Sequence, residues 1–223
     1  MRSLNYKGWS KLIKTDEPLT QVEVRPLTEL PKKKVGLMGG TFNPPHLGHL
    51  IIAKEVKEQL GLDEVWFMPD NLPPHIDKKD ALEAKYRVKM VALSIKDEPD
   101  FKLEELEIKR GGVSYTYDTI LELRAMYPEI EFYFIIGGDM VAYLPKWYRI
   151  DELVKLVQFV SVERKGYPKQ SDYPLIWVDV LRIDLSSSLI REKLRQDRSI
   201  KYLVTREVEE YIKQEGLYRD KKD

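Results

Sequence analysis

The chain contains no cysteine, so a disulfide framework, a thiolate metal site and a cysteine nucleophile are excluded together. Neither sign of charge is in excess. Lysine plus arginine and aspartate plus glutamate number 37 each, which leaves no overall basic field for a polyanion. No apolar run approaches the roughly 20 residues needed to cross a bilayer. Residues 1–30 mix lysines and acids with isolated apolar side chains, unlike a secretory signal core. The expectation is a cytoplasmic protein with no nucleic-acid and no membrane partner. A Gly-x-Ser-x-Gly elbow is missing too, which argues against a serine hydrolase. Histidine is scarce, with three in 223 residues, yet His46 and His49 fall within one turn.

From Lys34 onward, apolar strand-like runs alternate with helical patterns, the sign of an α/β fold with a parallel sheet and crossover helices. Strands are expected at 35–38, 64–68, 101–108, 132–136, 159–162 and near 176–180. Helices are expected over 47–60, 86–95, 117–126, 189–196 and 208–213, the last two forming a helical C-terminal part. The length suits one domain, assigned to residues 34–223. Residues 1–33, with Trp9, Leu12, Ile13 and alternating Val22 and Val24, precede the first convincing strand and read as an extension, either an ordered arm or a disordered one.

Three segments carry chemistry. The run Gly39-Gly40-Thr41-Phe42-Asn43-Pro44-Pro45-His46-Leu47-Gly48-His49 reads as the turn from a strand into a helix, where free N–H groups and the helix dipole favour anions. His46 and His49, three apart, project from nearly one face, and Gly48 lets a ligand approach the backbone closely. A histidine pair alone would read as decoration of a helix start; the preceding Gly-Gly-Thr turn shifts the reading to phosphate. As a zinc signal His-x-x-His is weak without a thiolate or a third ligand, so no metal ligand is assigned. The second segment, Ser186-Ser187-Ser188-Leu189-Ile190-Arg191, is either a capped helix with an exposed arginine or a second phosphate cradle. The third, Gly137-Gly138-Asp139, follows a continuous apolar strand, and open α/β sheets bind ligands beyond such ends. Asp139 there is a helix N-cap, a ligand contact, or both.

The first segment resembles the Gly-Gly-x-Phe-x-Pro-x-His-x-Gly-His signature of the nucleotidyltransferase superfamily of adenylyltransferases, and the second its Ile-Ser-Ser-Thr-x-Ile-Arg signature. With Ile135-Ile136-Gly137-Gly138-Asp139, Leu144-Pro145-Lys146-Trp147 and Ser114-Tyr115-Thr116-Tyr117-Asp118-Thr119, the resemblance is to bacterial nicotinate-nucleotide adenylyltransferases and covers residues 34 to about 218. It implies a Rossmann-like doubly wound parallel sheet of the nucleotidyltransferase type, and AMP transfer from ATP to nicotinate mononucleotide with release of pyrophosphate, a step of NAD biosynthesis. It also implies catalytic roles for His46, His49 and Arg191. ATP contacts would come from Gly39, Gly40, Thr41, Phe42, Gly137, Asp139, Ser186, Ser187 and Ser188 as well as from those three. Thr116, Tyr143 and Trp147 would hold the acceptor, and Mg2+ would accompany ATP.

For Trp147, ordinary packing of a helix-entry loop is the competing reading. Three positions depart from the family pattern: Asn43 stands where aspartate is frequent, Ser188 where threonine is usual, and Pro73-Pro74-His75 is followed by Ile76 and Asp77 instead of a basic residue. Lys78 or Lys79 would then have to supply that charge, or the contact is absent. Adenylyl transfer to nicotinamide mononucleotide or phosphopantetheine, cytidylyl transfer to a phosphorylated alcohol, and a nucleotide-binding module without turnover remain alternatives. A homo-oligomer is compatible with the sequence.

Overall fold

The computed structural model describes residues 32–72, 81–162, 169–181 and 183–219. The chain runs through β1 (Lys33–Gly40), α1 (Leu47–Leu60), β2 (Glu64–Pro69), α2 (Ala84–Ile95), β3 (Phe101–Leu103), α3 (Leu106–Arg110), α4 (Thr116–Met126), β4 (Ile130–Gly137) and α5 (Gly138–Val141). A 3₁₀ turn (Leu144–Lys146) follows, then α6 (Ile150–Leu153), β5 (Gln158–Val162), β6 (Leu175–Val178), α7 (Ser187–Arg195) and α8 (Arg206–Gln214). The expected extension falls, up to residue 31, outside the described residues, as do His75, Lys78 and Lys79.

The six strands form one parallel sheet in the order β3-β2-β1-β4-β5-β6. Successive side chains of a strand point to opposite faces, and here both faces are covered, which is why the central strands read as unbroken apolar runs. Val35 and Leu37 of β1 and Phe132, Phe134 and Ile136 of β4 face Ile120 and Leu123 of α4. Met38, Tyr133 and Ile135 face the other way, against Ala53 and Val56 of α1 and Val91 and Ile95 of α2. A third cluster joins Met90 of α2 to Ile190 and Leu194 of α7, Ile200, Val204, and Val208 and Ile212 of α8. The helical C-terminal part therefore packs along one face of α2.

Strand order reverses between β1 and β4. At such a switch point the loops leave in opposite directions and open a crevice at the carboxyl edge. Gly39-Gly40 closes β1 and Gly137 closes β4, on neighbouring strands paired in register through Met38 and Ile135.

One element differs from expectation. The strand expected over 101–108 ends at Leu103, and Leu106–Arg110 is helical. The apolar alternation holds through Phe101 and Leu103, but Leu106 falls on the opposite parity. The Glu104 N–H closes the ladder on the Phe67 carbonyl at 2.9 Å, and its carboxylate accepts from the Leu106 N–H at 2.9 Å, turning the chain out of the sheet.

Truncating a fully buried methionine costs about 2–5 kcal/mol. Met90→Ala should lower stability to urea by that amount while leaving a single unfolding transition; two separate transitions would mean that the C-terminal helices fold as an independent unit.

Candidate active site

The turn after β1 is built by close approach. A Cβ on Gly39 would lie 3.2 Å from the Phe134 ring of β4, and one on Gly40 would lie 3.4 Å from the Phe42 ring, which folds back over it. Phe42 adopts a left-handed φ of 49° and is buried, with its ring edge-on to His49 at 5.1 Å and tilted against Phe67 at 5.9 Å. Non-glycine residues in this region carry strain and cluster at functional sites. The Asn43–Pro44 peptide that follows is cis. His46 caps α1, its N–H donates to His49 Nδ1 at 3.1 Å, and the two imidazoles stack with centroids 3.7 Å apart. A Cβ on Gly48 would come within 3.0 Å of His46 Nδ1. The glycine thus makes room for the His46 ring, where the sequence suggested room for a ligand.

The second segment meets this turn directly. Arg191 Nη1 donates to the Asn43 carbonyl at 2.9 Å and Ser187 Oγ to the Pro44 carbonyl at 2.8 Å, across 148 and 143 residues of sequence. Arg191 Nη2 also donates to Ser188 Oγ at 3.2 Å. Ser186 caps α7, accepting from the Leu189 N–H at 3.2 Å, so the capping reading holds for this residue. The first turn of any helix leaves N–H groups without intrahelical partners, and Ser187 and Ser188 occupy those positions here.

Behind the turn lies a buried ion pair. Arg87 on α2 is 2 % exposed; it donates to the carbonyls of Thr41 (2.9 Å), Asp70 (2.8 Å) and Leu82 (3.0 Å) and pairs with the Asp70 carboxylate at 3.3 Å. Asp70 also accepts from the Thr41 hydroxyl at 2.8 Å. With its one proton on Asp70, that hydroxyl can offer only lone pairs to a ligand, so a Thr41 contact to ATP phosphate would have to come from its backbone. Neither Asp70 nor Arg87 was singled out from sequence, although a signal existed. Arg87 stands at helical spacing with Met90, Val91 and Ser94, placing a cation on the buried face of its helix.

At the end of β4 the N-cap of α5 is Gly137, and Asp139 lies inside the first turn instead of capping it; a Cβ on Gly137 would meet Asp139 Oδ1 at 2.5 Å, so the carboxylate folds over the strand end. Trp147 is half-buried, edge-to-face with Phe134 and Phe159 at 5.9 Å each, and its Nε1 is buried without a partner. Core packing is thus realised for this side chain. Tyr143 is 53 % exposed, with Lys146 over its ring. Thr116 is the first residue of α4, and Tyr148 packs on Tyr115 (4.9 Å) and Tyr117 (6.0 Å), which brings the start of α4 alongside the segment after Trp147. Among the described residues no hydrogen bond or ring contact joins Thr116, Tyr143 or Trp147 to the histidines. Phe134 lies between the two groups, touching Trp147 on one side and lying under Gly39 on the other.

The sequence profile described as cytidylyltransferase-like matches residues 37–193, which include both the glycine turn with its histidines and the segment 186–191. A Lactiplantibacillus plantarum protein named probable nicotinate-nucleotide adenylyltransferase is 54 % identical over 203 residues, 91 % of this chain and 96 % of that protein. The chain belongs to the nicotinate-nucleotide adenylyltransferase family. An Enterococcus faecalis family member with the same name is 49 % identical, covering 91 % of this chain and 92 % of its own. The fold of this adenylyltransferase is also that of the Plasmodium falciparum nicotinic acid mononucleotide adenylyltransferase complexed with NaAD, with a TM-score of 0.71 at 20 % identity, covering 83 % of this chain and 97 % of that one.

The environment of the histidines sets their charge. Burial brings the His46 pKa down to about 4, and burial together with the adjacent His46 holds His49 well below its ordinary value. Both rings are neutral near pH 7. His49 Nδ1 accepts a hydrogen bond, so its proton resides on Nε2, making that atom a neutral donor. His46 Nδ1 and Arg191 Nε are buried without partners. Among the described residues no group of three or more His, Asp or Glu side chains converges as a metal cage.

Between pH 6.5 and 4 the unfolded adenylyltransferase binds a proton at His46 that the folded protein does not, so stability is fully present above 6.5 and falls as pH drops toward 4. The expected contribution is about 3 kcal/mol. Urea midpoints measured across this range should fall less steeply for His46→Gln than for the wild type.

Proposed function

We propose that this enzyme transfers AMP from ATP to nicotinate mononucleotide, forming nicotinate adenine dinucleotide and pyrophosphate, with both substrates drawn from the cytoplasm. The observation that carries this reading is the bond from Arg191 to the Asn43 carbonyl, which joins the two phosphate segments into one site at the switch point of the sheet. Residues 34–223 would form the transferase domain and residues 1–33 an extension to it.

The nucleophile, the phosphate of the mononucleotide, is already ionised at neutral pH, so the site need not supply a strong general base. An oxygen of that phosphate attacks the α-phosphorus of ATP in line; the new P–O bond forms as the bond to the β-phosphate breaks, and pyrophosphate leaves with the electron pair. Rate then comes from positioning and from stabilising charge on the transferring group. His49 Nε2–H would donate to an oxygen of the α-phosphate, and a neutral imidazole can do so without giving up its proton. His46, the backbone of Gly39, Gly40, Thr41 and Phe42, and the start of α7 with Ser186, Ser187 and Ser188 would hold the remaining phosphate oxygens. Arg191 would stabilise the departing pyrophosphate. Gly137 leaves room for Asp139 at the strand end, where its carboxylate would meet ribose hydroxyls or a water of the bound cation. The divalent cation, assigned as Mg2+, would enter with ATP as part of the substrate and neutralise the leaving group.

The acceptor's pyridinium ring would stack on Trp147, a cation on an aromatic face. Its carboxylate would meet the free N–H groups at the start of α4, where Thr116 stands, with Tyr143 framing the entrance. Perpendicular contacts with two core phenylalanines hold the Trp147 ring in place, which suits it to a rigid stacking role.

Pyrophosphate release should be measured with ATP and Mg2+ and, in turn, nicotinate mononucleotide, nicotinamide mononucleotide and phosphopantetheine. Nicotinate mononucleotide should give the highest kcat/KM. A preference for phosphopantetheine would overturn the assignment, and ATP binding with no release from any acceptor would indicate a non-catalytic module. His49→Ala should reduce kcat about 100-fold or more, as loss of a transition-state donor does, with only a modest change in ATP affinity.

A further inference from the structure

Residues 41–46 belong to neither sheet nor helix, and Asn43 near their centre is 5 % exposed. The Asn43 carbonyl accepts from Arg191, while its side-chain Oδ1 accepts from the Tyr218 hydroxyl at 2.8 Å and from the Leu82 N–H at 3.4 Å. Tyr218 follows α8 and reaches back across 175 residues of sequence to make this contact. Its ring packs against the cluster formed by α2, α7 and α8, so the hydroxyl is delivered by a rigid core. Burial raises the Tyr218 pKa above its ordinary value despite the opposing fields of Arg191 and Arg87, and the phenol keeps its proton to donate.

We infer that Tyr218 is a positioning residue for adenylyl transfer, fixing the Asn43 side chain and thereby the backbone carbonyl on which Arg191 rests. Arg191 has two anchors, the Asn43 carbonyl and Ser188 Oγ, and only the first belongs to the turn. Without the hydroxyl, Asn43 Oδ1 loses its shorter bond and keeps the longer one from Leu82, which loosens the hold of this side chain on the Asn43 peptide. Arg191 would then lose its register against the turn. Charge builds on the leaving pyrophosphate during the reaction, so a misplaced guanidinium costs more at the transition state than in the ATP complex.

This inference rests on the AMP-transfer reading, and the experiment separates the two. Tyr218→Phe keeps the ring and removes one hydrogen bond. In the pyrophosphate assay its kcat should fall about tenfold, with KM for ATP within about twofold of the wild type. A lower melting temperature with unchanged kcat and KM would overturn the inference, leaving Tyr218 a merely structural residue. In a double-mutant cycle, Tyr218→Phe should cost nothing further in an Asn43→Ala background, and additive losses would overturn the inference. Amide hydrogen exchange on the substrate-free protein judges positioning without reference to catalysis. Exchange over residues 41–47 should be faster in Tyr218→Phe, and unchanged protection there would overturn the inference whatever the acceptor. A wild type that releases no pyrophosphate would instead remove the AMP-transfer reading, with hydrogen exchange still deciding the role of Tyr218.

Discussion

Buried backbone carbonyls need partners, and a segment that is neither strand nor helix must find them outside itself. In residues 41–44 this constraint is met by side chains: Arg87 donates to the Thr41 carbonyl, Arg191 to that of Asn43 and Ser187 to that of Pro44. Two of these donors are charged, and hydrogen bonds from charged groups contribute more than neutral ones. They come from α2 on one side and α7 on the other, so the turn is gripped between two helices that themselves pack together through Met90, Ile190 and Leu194. The bonds that satisfy the backbone are thus the same bonds that set where Arg191 and Ser187 lie against the glycine turn.

The electrostatic design follows from that grip. A triphosphate brings several negative charges, yet the residues nearest the turn on α1 are neutral imidazoles, stacked and kept uncharged by burial. Positive charge enters from Arg191, whose guanidinium is held at two points. Arg87 is committed to the Asp70 carboxylate and to four carbonyls and acts on the turn's shape. Directional neutral donors and fixed positive charge thus come from different elements, the histidines at the start of α1 and Arg191 on α7.

Much of the fold was legible because its signals are local. The helix over 47–60 matches α1 residue for residue, since a glycine in left-handed conformation stops it at Gly61 and its start is marked by the turn itself. The apolar runs at β2, β4 and β5 were recognisable because a sheet covered on both faces leaves little polar alternation. The miss at Leu106–Arg110 arose where a three-residue edge strand offers too few positions for a period to declare itself. The candidate site divides along the same line. His46, His49, Ser187 and Arg191 could be named from spacing and resemblance, whereas the Asp70–Arg87 pair and the Tyr218–Asn43 contact depend on side chains meeting across 17 and 175 residues, which no local pattern encodes. Gly48 shows the complementary case: its identity was informative, but the group that fills its empty space is His46 of the same turn.

The grip on residues 41–44 also orders events during synthesis. Ribosomes build chains from the amino terminus, so the glycine turn and the strands that flank it are made well before Ser187, Arg191 and Tyr218. Contacts that distant in sequence form slowly, because a long loop must close before they add any stability. The last residues to leave the ribosome thus complete the grip on a turn made among the first, so the shape of that turn depends on both ends of the described chain.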